Sequence, residues 1–254
     1  MLALPWLCIL PRFVTMMCMH ICLFDIDGTL IHSGGAGQGA FEVILAEQFG
    51  ITNGCEGVPF SGRTDRAIMR QLFERHDIDN NEANWQRFRT AYLERLPHML
   101  AEKPGRVLPG VVELLERLGE RDDVLVGLLT GNIAEGARVK LSHYDLYHHF
   151  DFGGYGDHQV DRNEVAREAL VAATDYHAAQ TDTTNGDAAK AEPQVWVIGD
   201  TPLDVEAARA IDAQAIAVVT GWHSRERLQE SEPDLLLEDL TDVDALLALW
   251  DQPA

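Results

Sequence analysis

Short apolar runs recur along this chain at residues 20–24, 124–129, 195–199 and 213–219, with a weaker fifth at 235–237, and each gives way to polar residues. Runs of that length read as strands buried on both faces, since a buried helix needs ten or more residues. Between them lie helical patterns such as 110–118, where apolar positions return every three or four residues, and 203–211. Buried strands alternating with amphipathic helices predict an α/β chain with a Rossmann-like, mostly parallel sheet and helices on both faces. Ligands of such sheets bind outside the carboxyl ends of the strands. The polar residues that end each run are therefore the first place to look for chemistry.

The first run is not followed promptly by a crossover helix and a second strand. Residues 35–106 instead carry helical periodicity, notably at 40–49, 65–76 and 83–100, between Ser33-Gly34-Gly35-Ala36-Gly37 and Lys103-Pro104-Gly105. Both flanks are linker-like. The expected organisation is an α/β core of residues 19–34 and 107–254 with an all-helical cap inserted at 35–106. The polar stretch 178–193 has no apolar period and is expected to be a mobile loop of the core. Residues 1–18 are apolar but interrupted by Pro5, Pro11 and Arg12, with no small-residue cleavage site after them. They are read as an extension of doubtful origin upstream of the first strand, not as a targeting signal.

Acidic residues number 41 against 20 basic, a formal net charge of −21. A field of that sign repels nucleic acid and anionic membranes, so neither is expected as a partner. A phosphorylated metabolite is anionic as well, and its site needs a metal ion and a few placed cations. The cysteines at 8, 18, 22 and 55 form no C-x-x-C pair, which suits reduced, cytoplasmic usage.

The strongest chemical signal is Asp25-Ile26-Asp27-Gly28-Thr29-Leu30, directly after the first run. Carboxylates at i and i+2 leave a strand end on one side. One can attack phosphorus while the other gives a proton to the leaving oxygen and later activates water. An isolated D-x-D is often a solvated turn, but other strand ends here carry complementary groups. Thr130-Gly131-Asn132 ends the second run and offers a hydroxyl and backbone N–H groups at a helix start, suited to phosphate oxygens. Asp200-Thr201-Pro202-Leu203-Asp204 ends the third. Oxygen ligands from Asp25 and Asp200, a backbone carbonyl and waters would make an octahedral Mg²⁺ site. Asp204 is either a further metal-site acid or a helix cap.

Together these motifs resemble those of the haloacid-dehalogenase-like hydrolases, in the phosphoglycolate-phosphatase-like branch with a helical cap, from Met19 to about Leu249. The resemblance implies a phosphatase acting through an aspartyl-phosphate on Asp25. Asp27 would be the general acid/base, lending its main-chain carbonyl to Mg²⁺. Thr130 would hold phosphate and Asp200 the metal. The family's usual lysine ahead of the fourth motif is missing, and Arg162 stands where it is expected. Lys140, on the helix after Thr130, is the rival for that role, and Arg162 is preferred. In the cap, Gly62-Arg63-Thr64-Asp65 matches the substrate-specificity loop, with Arg63 able to reach a distal carboxylate or phosphate.

Two other patterns take plain readings. Gly35-x-Gly37-x-x-Ala40 lies too far past its strand for a dinucleotide fingerprint. His143, His148 and His149 lack partners at ligand spacing. Dehalogenation is disfavoured by the second carboxylate, Asp27. A sugar-phosphate mutase and a catalytically silent phosphate-binding domain are the remaining alternatives. Monomer and homodimer are both compatible with the sequence. If residues 1–18 lie outside the fold, a chain started at Met19 keeps the melting temperature and activity of the full chain. A drop in either would show that the extension packs.

Overall fold

The structure is a computed structural model that describes residues 19–180 and 193–251. The expectations for 1–18 and for most of 178–193 lie outside those residues. Within the latter stretch, residues 178–180 close a helix.

In chain order the elements are β1 (His20–Phe24), β2 (Ile31–His32), α1 (Ala36–Phe49), α2 (Asp65–Arg75), α3 (Glu82–Glu102) and β3 (Arg106–Val107). There follow α4 (Val111–Gly119), β4 (Val124–Leu129), α5 (Ala134–His143), β5 (Gly153–Gly154) and α6 (Arg162–Gln180). The chain continues through β6 (Gln194–Gly199), α7 (Pro202–Arg209), β7 (Gln214–Val218), α8 (Arg225–Gln229), β8 (Leu235–Leu237) and α9 (Val243–Trp250). Six strands form one parallel sheet in the order β5-β4-β1-β6-β7-β8. β1 lies inside it, with β4 on one side and β6 on the other, so the chain reverses its direction of travel across the sheet at β1.

The period of two along each strand decides which layer its side chains join. Cys22 and Phe24 of β1 face a core that includes Leu114 and Leu118 of α4, Leu141 of α5 and Leu246 and Trp250 of α9. Ile21 and Leu23 face the opposite layer with α6 and α7. β7 sorts the same way, with Ile216 and Val218 on the first face and Ala215 and Ala217 on the second. Small residues on the second face meet Ala166, Ala169 and Ala173 of α6 and Ala207 and Ala208 of α7. That close helix-to-sheet approach brings the start of α6 to the end of β4.

Helices α1–α3 build a separate apolar cluster around Phe41, Leu72, Phe73, Phe88 and Tyr92. Phe41 is its hub, in edge contact with Phe60, Phe88 and Tyr92 at ring separations of 5.5, 4.8 and 5.0 Å. The flanks of this helical insertion are not free linkers. β2 and β3 pair antiparallel, Ile31 with Val107 and His32 with Arg106, and so tie the insertion's entry to its exit. This ribbon and β5 escape sequence reading because strands of two residues carry no periodicity. Among the described residues no helix is long and apolar enough to cross a membrane.

Phe88 is buried against both Phe41 and Phe73. Phe88→Ala should cost about 3–5 kcal/mol, read from urea unfolding. A loss under about 1 kcal/mol would show that the helical cluster repacks as a loose layer.

Candidate active site

The register of the three central strands assembles the site. Phe24 lies opposite both Leu128 and Ile198, so β1, β4 and β6 end within one residue of one another. The residues that follow, Asp25, Thr130 and Asp200, therefore emerge together at the carboxyl edge, and the Asp25 N–H donates to the Ile198 carbonyl at 2.9 Å. Asp204 joins them from the first turn of α7. Carboxylate oxygens of Asp25, Asp200 and Asp204 lie within 4.8 Å of one another, all buried.

Two glycines make room for Asp200. A Cβ on Gly28, whose φ is +96°, would come within 2.4 Å of its Oδ2, and one on Gly221 within 1.7 Å. Oδ1 of Asp200 accepts from the Thr29 hydroxyl at 3.3 Å. Oδ2 is buried with no hydrogen-bond partner among the described residues. Burial and the neighbouring Asp25 and Asp204 charges push the Asp200 carboxyl well up. Asp25 is pushed up to about 6, by burial first and by Asp204 and Asp27, against the pull of Arg162. Packed carboxylates with one orphaned oxygen are a site short of positive charge, and their hard oxygens fit Mg²⁺. Asp25 and Asp200 are better placed to ligate than Asp204. The Asp204 Oδ2 is engaged by the Thr201 N–H at 3.0 Å and hydroxyl at 2.7 Å in a capping box, and its Oδ1 by Arg162.

The two candidate cations do not exclude each other, for each has its own carboxylate. Arg162 opens α6, is buried, and sits 2.8 Å from Asp25 Oδ1 while also binding Asp204. Lys140, one turn from the end of α5, is also buried and pairs with Asp27 Oδ2. Asn132 ties the second pair together. Its Nδ2 donates to Asp27 at 3.0 Å and to the Thr130 hydroxyl at 2.8 Å, while its Oδ1 accepts from Lys140 at 2.6 Å. The Ser33 hydroxyl donates to the other Asp27 oxygen at 3.1 Å. Burial alone would raise the Asp27 carboxyl, but Lys140 and the hydrogen bonds from Lys140, Asn132 and Ser33 hold it below the usual carboxylate range.

The helical insertion closes over this edge. The Asp65 N–H donates to the Gly131 carbonyl at 2.7 Å, and its carboxylate accepts from the Ile133 N–H at 2.9 Å. A Cβ on Gly131 would lie 2.1 Å from the Arg63 carbonyl, so only glycine lets the two loops meet. Arg162 spans the seam as well, donating to the Gly62 carbonyl at 3.1 Å. Arg63 itself lines the cavity, but its guanidinium is turned to the Pro59 and Ala67 carbonyls and to Gln71. It braces its own helix. Nor are all the N–H groups at the start of α5 available: Ile133 gives its own to Asp65 and Ala134 to Asp157 at 2.6 Å. The Asn132 N–H turns back to the Thr130 hydroxyl at 3.3 Å.

Sequence reading passed over Ser33, Asp157 and the Thr220-Gly221-Trp222 turn. The turn carried the same signal used elsewhere, polar and glycine residues directly after an apolar run. Ser33 and Asp157 carried none, since a lone polar residue in a loop is unremarked until its partner is known. The cavity is partly open to solvent, measures about 340 Å³ and runs from Asp25 and Asp27 to Trp222.

Residues 22–218 match the family described as haloacid dehalogenase-like hydrolase. A phosphoglycolate phosphatase from Synechococcus elongatus is 28% identical over 89% of this chain and 95% of its own length. Phosphoglycolate phosphatase 1 from Pseudomonas aeruginosa is 27% identical over 96% of this chain and 84% of its own. A solved hydrolase from Pseudomonas syringae shares the fold at a TM-score of 0.63 and 20% identity, covering 91% of this chain and 98% of that one.

The two ion pairs differ in a way that stability should report. Arg162→Ala leaves Asp25 and Asp204 buried without their cation and should cost about 3–5 kcal/mol. Lys140→Ala should cost less, because Asp27 is partly exposed and keeps two other donors. Equal losses in urea unfolding would contradict this assignment of partners.

Proposed function

This chain belongs to the haloacid dehalogenase-like hydrolase family and is a phosphoric monoester hydrolase, and we propose that it is a Mg²⁺-dependent phosphatase that works through an aspartyl-phosphate on Asp25. The observation that carries this reading is the convergence of Asp25, Asp200 and Asp204 at one strand edge, with Arg162 against Asp25 and Asp27 two residues on. The substrate is a small phosphorylated metabolite of the cytoplasm, as suits relatives named phosphoglycolate phosphatase.

Asp25 and Asp200, with Asp204 behind them and the Asp27 main-chain carbonyl, would hold Mg²⁺. When bound, the ion screens the repulsion between the attacking carboxylate and the phosphoryl oxygens. Arg162 keeps Asp25 ionised and fixes its direction. The Asp25 oxygen forms a bond to phosphorus as the ester P–O bond breaks, and Asp27 gives its proton to the departing alkoxide. Thr130, Gly131 and Asn132, with Arg162 and Lys140 behind them, balance the charge on the transferred group. Asp27 then takes a proton from water, whose oxygen attacks phosphorus and returns Asp25 as a free carboxylate.

The resting hydrogen bonds of Asp27 suit this second half, since they hold it as a base. Its proton for the first half arrives with substrate, whose phosphoryl charge offsets Lys140 and raises the Asp27 carboxyl. Arg63, on the cap side of residues 35–106, contributes to specificity by fixing the shape of the 60–65 loop, and the cap excludes water from the acyl phosphate.

Asp25→Asn should bring turnover to background with the fold intact, and Asp27→Asn should slow it by about 10²–10⁴-fold. Excess chelator should silence the enzyme, and Mg²⁺ should restore it and raise the melting temperature. Asp200→Asn should abolish that thermal shift. Full activity in chelator, or a retained shift in Asp200→Asn, contradicts the metal assignment.

A further inference from the structure

The geometry points to a leaving group that is an uncharged aromatic alcohol, received between Trp222 and the apolar wall of the helical insertion. This rests on the phosphatase reading and names the kind of ester the same site takes.

The cavity that begins at Asp25 and Asp27 is walled on the insertion side by Phe41, Val58, Phe60 and Ile68. On the core side it ends at His32 and Trp222. Trp222 is 73% exposed, the most exposed large apolar side chain among the described residues. An indole left in water at the mouth of a pocket with an apolar wall is unsatisfied surface continuous with the proposed reaction centre. Its one ring neighbour among the described residues is His32, at a centroid distance of 5.3 Å. His32 Nδ1 accepts from the Gly34 N–H at 3.2 Å, which leaves the ring's proton on Nε2 as a donor. The far end of the cavity thus offers an indole face and one N–H.

The cations that line the cavity already have hydrogen-bond partners. The lysine and arginine residues lining the cavity are Arg63, Lys140 and Arg162. Arg63 is bound to Gln71 and two carbonyls, Lys140 to Asp27 and Asn132, and Arg162 to Asp25 and Asp204. The carboxylate of Asp65 lines the same space. A second anionic group on the substrate, such as the carboxylate of phosphoglycolate, would find the one His32 N–H there and would otherwise have to compete with these partners for a cation. A neutral aromatic ring gains stacking and burial instead, and a cavity of about 340 Å³ has room for it.

The test compares kcat/KM of the full chain with Mg²⁺ on benzyl phosphate and on phosphoglycolate. Both esters release a primary alcohol, so intrinsic leaving ability is nearly matched. Benzyl phosphate should be preferred by about tenfold or more, the scale of one good aromatic contact plus the avoided burial of a charge. Trp222→Ala should lower kcat/KM for benzyl phosphate about tenfold, mainly through KM. Trp222→Phe should restore most of that loss. Preference for phosphoglycolate, or a Trp222→Ala loss equal on both esters, overturns the inference and leaves the phosphatase standing. Turnover of neither ester overturns both.

Discussion

A buried guanidinium between two carboxylates holds this molecule's active edge together. Asp25 follows β1 and Asp204 lies in the first turn of α7, and their charges would repel in a site with little water to screen them. Arg162 lies between them. Its position is set by packing: α6 reaches the end of β4 because small residues on both surfaces let helix and sheet come close. The same guanidinium reaches the Gly62 carbonyl of the helical insertion. One side chain therefore orients Asp25, the proposed nucleophile, neutralises its neighbour and fastens the two layers.

The second pair, Lys140 with Asp27, is arranged differently. It is partly open and surrounded by hydrogen-bond donors, as suits the acid/base role proposed for Asp27. A fully buried pair lies behind the proposed nucleophile and a more exposed one beside the proposed acid/base. The remaining imbalance is the orphaned oxygen of Asp200 and the raised carboxyls around it. That excess of negative charge is what the proposed divalent cation would offset.

Much of this was legible in the sequence because the sheet is buried on both faces. Continuous apolar runs mark its strands, and the residue after each run must face the ligand edge, which brings Asp25, Thr130 and Asp200 together. The helical insertion was legible as a long stretch of period near 3.6 with no strand inside it. The partition of cations was not. Arg162 and Lys140 read as rivals for one role, since no spacing rule says which carboxylate a helix will point each one toward. Arg63 was legible as a pocket residue but not as a brace, because its partners Pro59, Ala67 and Gln71 are local accepting groups that any loop might present. The ribbon of β2 and β3 was too short to show.

The central claim, that Asp25 becomes covalently phosphorylated, has a direct measurement. Acid quench during steady-state turnover, borohydride reduction of the trapped acyl phosphate and peptide mass mapping should find Asp25 converted to homoserine, in a fraction that grows with substrate to saturation. A modified residue elsewhere, or an unmodified Asp25 in an enzyme that releases a pre-steady-state burst of alcohol ahead of phosphate, would contradict the account.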